Sequence, residues 1–415
     1  MKKFLEKHHI FYGWLIVAVG ILMLAGSYGI AYNCFSLFIK PVSEARGFTR
    51  QSFSMCLTII FLFYMLVSLF SGKLFKRFKI RTLMRIWAIA LPAIYFCYSF
   101  CNKLWQYYLC SALTGIGVAL LSYISFTAII ANWFLEKRGL AVGITFMGSG
   151  LGGMIFNALG GQWVAKLGYA ATFRIQAVVM ACIVIPLVFL VLKVSPYEVG
   201  MEPYGAEKHR DEGRNSVRLY GPTFVEATHT LNFWVLIIMA LFIGFTTSAL
   251  AQTIVTRISD MGYDPTYAAG VNAAYLGVLC VFKILLGTMY DRFGMKVSTF
   301  LSLCAIILGL TGLYFAQFRV AHAAVVLGAA LGCASGTVAL PLLSQAACGT
   351  QDFPVISGIV LAASSFGGSL APMFANLVYD KTGSYALALI IAIIMVVIAI
   401  GLLLILKQVR EDSED

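Results

Sequence analysis

The apolar residues of this 415-residue chain fall into successive runs of about 20–27 residues, separated by short stretches of charge, glycine and proline. A helix of that length crosses a hydrocarbon core of ~30 Å, and a series of them has no place in a soluble domain. Composition agrees: 60% of the residues are hydrophobic and 12% charged, whereas soluble domains carry about 25% charged residues. A soluble enzyme, a disordered chain and a secreted disulfide scaffold are thereby excluded. The first run begins near Phe11, lasts about 27 residues and lacks a small-residue cleavage pattern, so it reads as a retained span and not a signal peptide. The expected class is an all-α polytopic membrane protein.

Twelve spans are predicted, at 12–38, 51–72, 82–100, 104–132, 139–164, 170–193, 231–256, 266–289, 297–317, 321–346, 354–378 and 384–406. The one long hydrophilic stretch, 195–230, reads as a flexible cytoplasmic linker. It divides an N-terminal six-helix half, 1–194, from a C-terminal half, 231–415, which ends in a short acidic tail.

The net charge of +12 raises the question of a nucleic-acid partner, but no basic cluster alternates with aromatics on a soluble domain, so none is expected. The basic residues lie between the spans. With the N-terminus inside, twenty Lys and Arg fall in inner segments, from Lys2, Lys3 and Lys7 through Lys73–Arg85 to Lys407 and Arg410, and nine in outer ones. This bias places both termini in the cytoplasm and the protein in the cell membrane. The thirtieth basic residue, Lys283, belongs to neither set. The ten cysteines lie almost all within or at the ends of the apolar runs, none with metal-ligand spacing, and read as small buried residues without a disulfide or metal role.

Sliding the chain against itself by 215 residues aligns the halves without a gap. Gly29 falls on Gly244, Gly47 on Gly262, Gly72 on Gly287, Arg77-Phe78 on Arg292-Phe293, Gly143 on Gly358, Gly152-Gly153 on Gly367-Gly368 and Gly168 on Gly383. Apolar matches are trivial in such a chain; glycines and charged turn residues in one register imply parallel repeats.

This layout resembles the major facilitator superfamily, and so do local motifs. Gly287-Thr288-Met289-Tyr290-Asp291-Arg292-Phe293-Gly294-Met295-Lys296 is similar to its loop signature G-x-x-x-D-R-x-G-x-[RK]. The first-half copy has Gly72 and Arg77 but Lys76 in place of the acid, so only Asp291 is expected to serve as a carboxylate latch at the inner gate. Trp133-Phe134-Leu135-Glu136-Lys137-Arg138-Gly139 and Phe11-Tyr12-Gly13-Trp14 resemble the monocarboxylate transporter and oxalate–formate exchanger branch. The resemblance implies two pseudo-symmetric six-helix halves, a cavity lined by spans 1, 4, 7 and 10, and a span-8 cation that contacts the substrate carboxylate.

Lys283 stands at that span-8 position, eight residues before Asp291, or ~12 Å of helix from the inner end. An intramembrane lysine costs ~2.5–3.5 kcal/mol on insertion scales and is by default functional. Snorkelling to the headgroups, a structural polar pair and a neutral amine are the competing readings. All eighteen acids lie in loops, tails or span ends, so one buried positive charge suits a monoanion. Tyr28, Asn33, Tyr123, Gln252 and Tyr275 are the polar candidates to join it. Gly143, Gly152 and Gly153 in span 5, with Gly358, Gly367 and Gly368 in span 11, are expected to pack the two halves against each other.

The expected function is secondary transport of a small organic monocarboxylate by alternating access. A lysine that keeps its proton in the empty carrier favours anion exchange; one that releases it permits proton symport. A proton-driven exporter of amphipathic compounds is the alternative. No nucleophile motif or His/Asp/Glu cluster points to an enzyme, no cofactor or metal is expected, and the chain reads as a monomer in the bilayer.

Overall fold

The computed structural model describes residues 11–206, 221–263 and 265–408. Lys2, Lys3, Lys7, Lys208, Arg210, Arg214, Arg218, Asp264, Arg410 and the acidic tail lie outside the described residues, as does the middle of the 195–230 linker. Among the described residues every element is helical, apart from one isolated bridge between Phe134 and Tyr204.

Among the described residues ten helical stretches are long and apolar enough to cross a membrane. Two are double. Arg138–Val191 has 54 residues and Gly270–Tyr314 has 45, roughly 80 and 70 Å of helix, far beyond one crossing. Each contains one glycine outside helical geometry, Gly168 at φ 79°, ψ 168° and Gly294 at φ 75°, ψ −179°. That backbone region is all but closed to residues with a Cβ, so glycine marks where span 5 turns into span 6 and span 8 into span 9. Dividing the two stretches there yields twelve spans in the predicted order.

The chain divides into two compact units, Met1–Val67 with Lys73–Arg218, and Ser68–Gly72 with Leu219–Asp415. The repeat carries over in part into local backbone: Gly47 caps its helix at φ 69° and Gly262 has φ 85°, while Gly168 and Gly383 share a positive φ, 79° and 68°, but differ in ψ, 168° and 10°.

The repeat-register glycines mostly serve packing within each unit. In the first, a Cβ on Gly29 would lie 2.8 Å from the Gly152 Cα, one on Gly152 would collide with Ala25, and one on Gly153 would lie 2.8 Å from Asn33 Nδ2. Span 1 thus meets span 5 backbone to backbone. In the second unit, a Cβ on Gly244 would strike the Ser364 carbonyl, one on Gly367 the Leu241 carbonyl, and one on Gly368 would approach the Gly244 carbonyl at 3.4 Å. Span 7 meets span 11 in the same way. Gly143 is buried in its own helix. A Cβ on Gly358 would collide with Ser71, of the Ser68–Gly72 segment that belongs to the same unit. The expectation assigned these glycines to packing between halves; the approaches are of the small-residue kind that lets two membrane helices touch, and those of Gly152, Gly153, Gly367 and Gly368 lie within one half, whereas that of Gly358 joins span 11 to Ser71 of span 2.

Span 6 ends in a π-turn, Leu187–Val191, and spans 1, 4 and 10 depart from α-helix within their length. Span 1 runs as Tyr12–Leu24 and then widens into a π-helix, Ala25–Asn33. Span 4 breaks at Ser122 (φ −124°, ψ −132°) between Leu104–Leu121 and Tyr123–Trp133. Span 10 passes from Arg319–Ala334 through a π-turn, Ser335–Ala339, into Leu340–Cys348. A break inside a bilayer strands backbone carbonyls, which must find other donors. Around Ser122 serines supply them: Ser125 Oγ donates to the Leu120 carbonyl at 2.6 Å, and Ser27 Oγ lies 3.4 Å from the Leu121 carbonyl.

The start of the linker is ordered against the first unit, which differs from the flexible tether expected. Tyr204 N donates to the Trp133 carbonyl at 2.9 Å, and Leu135 N donates to the Tyr204 carbonyl at 3.0 Å. The Tyr204 ring packs near Phe11, Phe134 and the Lys137 ammonium, and Glu198, earlier in the same stretch, pairs with Arg81 at 3.0 Å. Hydrophilic composition concealed this because main-chain pairing and aromatic stacking hold the strap. Tyr204→Ala removes contacts worth about 1.4 kcal/mol, so limited trypsin cleavage near Lys193 is expected to quicken roughly tenfold with the spans still folded.

Candidate functional site

The irregular stretches of spans 1 and 4 bring three of the expected ligand residues together in the first unit. Tyr28 lies on the π-helical part of span 1, and its ring centre is 4.8 Å from that of Tyr123, which follows the break in span 4. The Tyr123 hydroxyl donates to Ser149 Oγ at 2.6 Å. Asn33 Nδ2 donates to the Ser149 carbonyl at 2.9 Å, and Asn157 Nδ2 reaches the Asn33 carbonyl at 3.3 Å. The group is a polar chain across spans 1, 4 and 5, walled by Tyr32, Phe61 and Phe146. Tyr123 is 4% exposed, whereas Tyr28 and Asn33 are half-buried.

Sequence reasoning missed Tyr32, Ser149 and Asn157 here. Tyr32 stands four residues after Tyr28, a helical spacing that could have flagged it. Ser149 and Asn157 are hidden in the glycine-rich run of span 5.

The second unit holds the lysine. Lys283 is 3% exposed within span 8, and Tyr275, two helical turns earlier, is 5% exposed. Cys333 of span 10 is within hydrogen-bonding reach of the Tyr275 hydroxyl and within electrostatic range of Lys283. Its sulfur lies 3.5 Å from the Thr247 carbonyl of span 7. Thr247 also lines the π-turn of span 10, opposite Gly336. Thus spans 7, 8 and 10 converge near a buried cation, with Cys333 and Thr247 as members the sequence reading did not select. Gln252, by contrast, is exposed on span 7.

The loop-motif residues separate by burial. Gly72 and Gly287 are buried, and a Cβ on Gly72 would collide with Val355 within the second unit. Arg77, Asp291 and Arg292 are exposed at the ends of their helices, with the Arg77 guanidinium 5.8 Å from the centre of the Phe78 ring. Among the described residues no group of three or more His, Cys, Asp or Glu side chains is placed to hold a metal.

Residues 20–354 match the Major Facilitator Superfamily. The chain belongs to that superfamily. It is a multi-pass membrane transporter, all-helical, with the superfamily's fold. It is 25% identical over 289 residues to the MFS-type transporter pytF of Aspergillus terreus, covering 68% of this chain and 91% of that one. A shorter match, 37% identical over 113 residues, is to the Aspyridones efflux protein apdF of Emericella nidulans, covering 26% of this chain and 22% of that protein. A solved structure of the proton:xylose symporter XylE, bound to 6-bromo-6-deoxy-D-glucose, superposes with a TM-score of 0.74 at 15% identity over 97% of both chains. At that identity the likeness is one of fold.

Proposed function

We propose that this superfamily member moves a small organic monocarboxylate by alternating access of its two six-helix halves, as a proton symporter or an anion exchanger. The observation that carries the reading is Lys283, a cation 3% exposed inside span 8 beside Tyr275 and Cys333. A charge kept in a bilayer span against its insertion cost is a functional group by default, and a carboxylate is its natural complement. Lysine acts as a point charge, without the bidentate fork of arginine, and Tyr275 can donate a second hydrogen bond. In the first half, Tyr28, Tyr123 and Asn33 are proposed to contact the organic part of the substrate. Asp291, with Arg77 and Arg292, is proposed to act at the inner gate, and both termini are assigned to the cytoplasmic face of the cell membrane.

Export of amphipathic compounds is the second reading, favoured by the similarity to a named efflux protein. Thermal-shift measurements on purified protein against monocarboxylates, dicarboxylates, sugars and cationic amphiphiles separate the two. Stabilisation by a monocarboxylate, followed by its uptake into proteoliposomes, is expected. Stabilisation by cationic amphiphiles alone would overturn the carboxylate reading.

A further inference from the structure

The loop joining spans 3 and 4 holds two thiols in contact. Cys101 follows the short turn Tyr98–Phe100 with extended backbone (φ −69°, ψ 130°), and Cys110 lies in the second turn of the Leu104–Leu121 helix. Their sulfurs are 3.9 Å apart. The loop is held in place around them: the Tyr107 hydroxyl donates to the Cys101 carbonyl at 3.0 Å, and Gln106 Oε1 accepts from Asn102 N and Lys103 N at 2.8 and 3.0 Å. Cys101 Sγ also lies 3.4 Å from the Cys97 carbonyl, so the two sulfur contacts fit Cys110 as donor to Cys101 and Cys101 as donor to that carbonyl.

The contact with Cys110 favours a thiolate at Cys101, while the bond to the Cys97 carbonyl favours the thiol. The hydrogen bond from Cys110 holds the Cys101 thiol below its ordinary value; burial and the nearby Cys97 and Cys56 oppose this, and Arg46 adds the smallest push, in the same direction as the hydrogen bond. Arg174 stands nearby, its Nε donating to Ser99 Oγ at 3.1 Å and its guanidinium 5.0 Å from the Phe100 ring centre. A cation close to a thiol is one setting of reactive cysteines. Cys101 itself is buried, whereas Cys110 is half-buried and the adjoining Asn102 and Lys103 are exposed, so a small reagent reaches Cys101 as the loop opens beside Asn102 and Lys103.

We propose that Cys101 and Cys110 are a redox-active dithiol that closes to a disulfide, tying the end of span 3 to the second turn of span 4. The oxidant is a low-molecular-weight disulfide. The Cys101 thiolate attacks one of its sulfurs, forming a mixed disulfide and releasing one thiolate, which takes up the Cys101 proton. Cys110 then loses its proton and attacks Cys101 Sγ, forming the internal bond and releasing the second thiol with that proton. Two protein thiols are oxidised by two electrons, and the small disulfide is reduced to two thiols. The sulfurs must close by about 2 Å to reach bonding distance; Cys101 is on a loop and Cys110 on a helix, so the loop makes the movement. Exposed Cys97 and buried Cys56 lie near the pair, but the sulfur in contact with Cys101 is that of Cys110.

Purified full-length protein incubated with oxidised glutathione, denatured, alkylated with iodoacetamide and mapped by peptide mass spectrometry tests this. A Cys101–Cys110 peptide lacking two hydrogens is expected, restored to two alkylated thiols by dithiothreitol. The bridge is expected to persist in Cys97→Ser, and in Cys110→Ser the reaction is expected to stop at a glutathione adduct on Cys101. Full alkylation of both residues after oxidation would overturn the proposal, as would a bridge to Cys56, to Cys97 or to a second copy of the chain. The wild-type map decides the matter even where a variant expresses poorly.

Discussion

Uptake of a transported monocarboxylate into proteoliposomes is expected to fall at least tenfold when Lys283 becomes alanine. A hydrogen bond to a charged group in a dry site contributes about 1.5–3 kcal/mol, equivalent to roughly 10–150-fold in affinity. Lys283→Met retains much of the side chain's bulk and removes the charge, so a loss of uptake with the melting temperature preserved assigns the effect to charge and not to folding. Lys283→Arg keeps the charge but replaces a point donor with a planar fork, and partial activity is expected. Unchanged uptake and affinity in the alanine variant would remove Lys283 from the site and leave the exporter reading in its place.

A side chain at the close helix crossings is expected to be the most damaging structural change. Gly152→Val and Gly244→Val each drive a Cβ into the backbone of a neighbouring span, at Ala25 and at the Ser364 carbonyl. Backbone cannot rotate away as a side chain can, so each is expected to cost roughly 3 kcal/mol, seen as a lower melting temperature and reduced yield of folded protein. Gly161→Ala, on the same long helix as Gly152, meets nothing within 4 Å and is expected to be tolerated, because alanine is the better helix former. Equal loss in both variants would show that helix propensity and not close approach sets the demand for glycine.

These outcomes follow from what hydropathy and register could and could not convey. Run lengths located the twelve spans because the bilayer dictates length, and the 215-residue offset located turns such as Gly47 and Gly262 because positive φ selects glycine. The break at Ser122 and the π-stretch at Ala25–Asn33 were invisible: the flanking residues remain apolar, and only the hydrogen-bond pattern changes. Lys283 was legible as a charge without a place in the topology, whereas Cys333 and Thr247 were not, because neither residue type is unusual in a span. The Cys101–Cys110 contact was equally hidden. Their nine-residue spacing has no helical meaning, and a loop turn brings them together.

The break in span 4 and the π-turn in span 10 fall in one register, since Ser122 maps onto Thr337 within Ser335–Ala339. The chemistry around them does not repeat: Tyr123 maps onto Val338, and Lys283 onto Ser68. The bend thus belongs to the repeat, whereas the tyrosine and the lysine each belong to one half alone, so a symmetric backbone carries an asymmetric set of side chains.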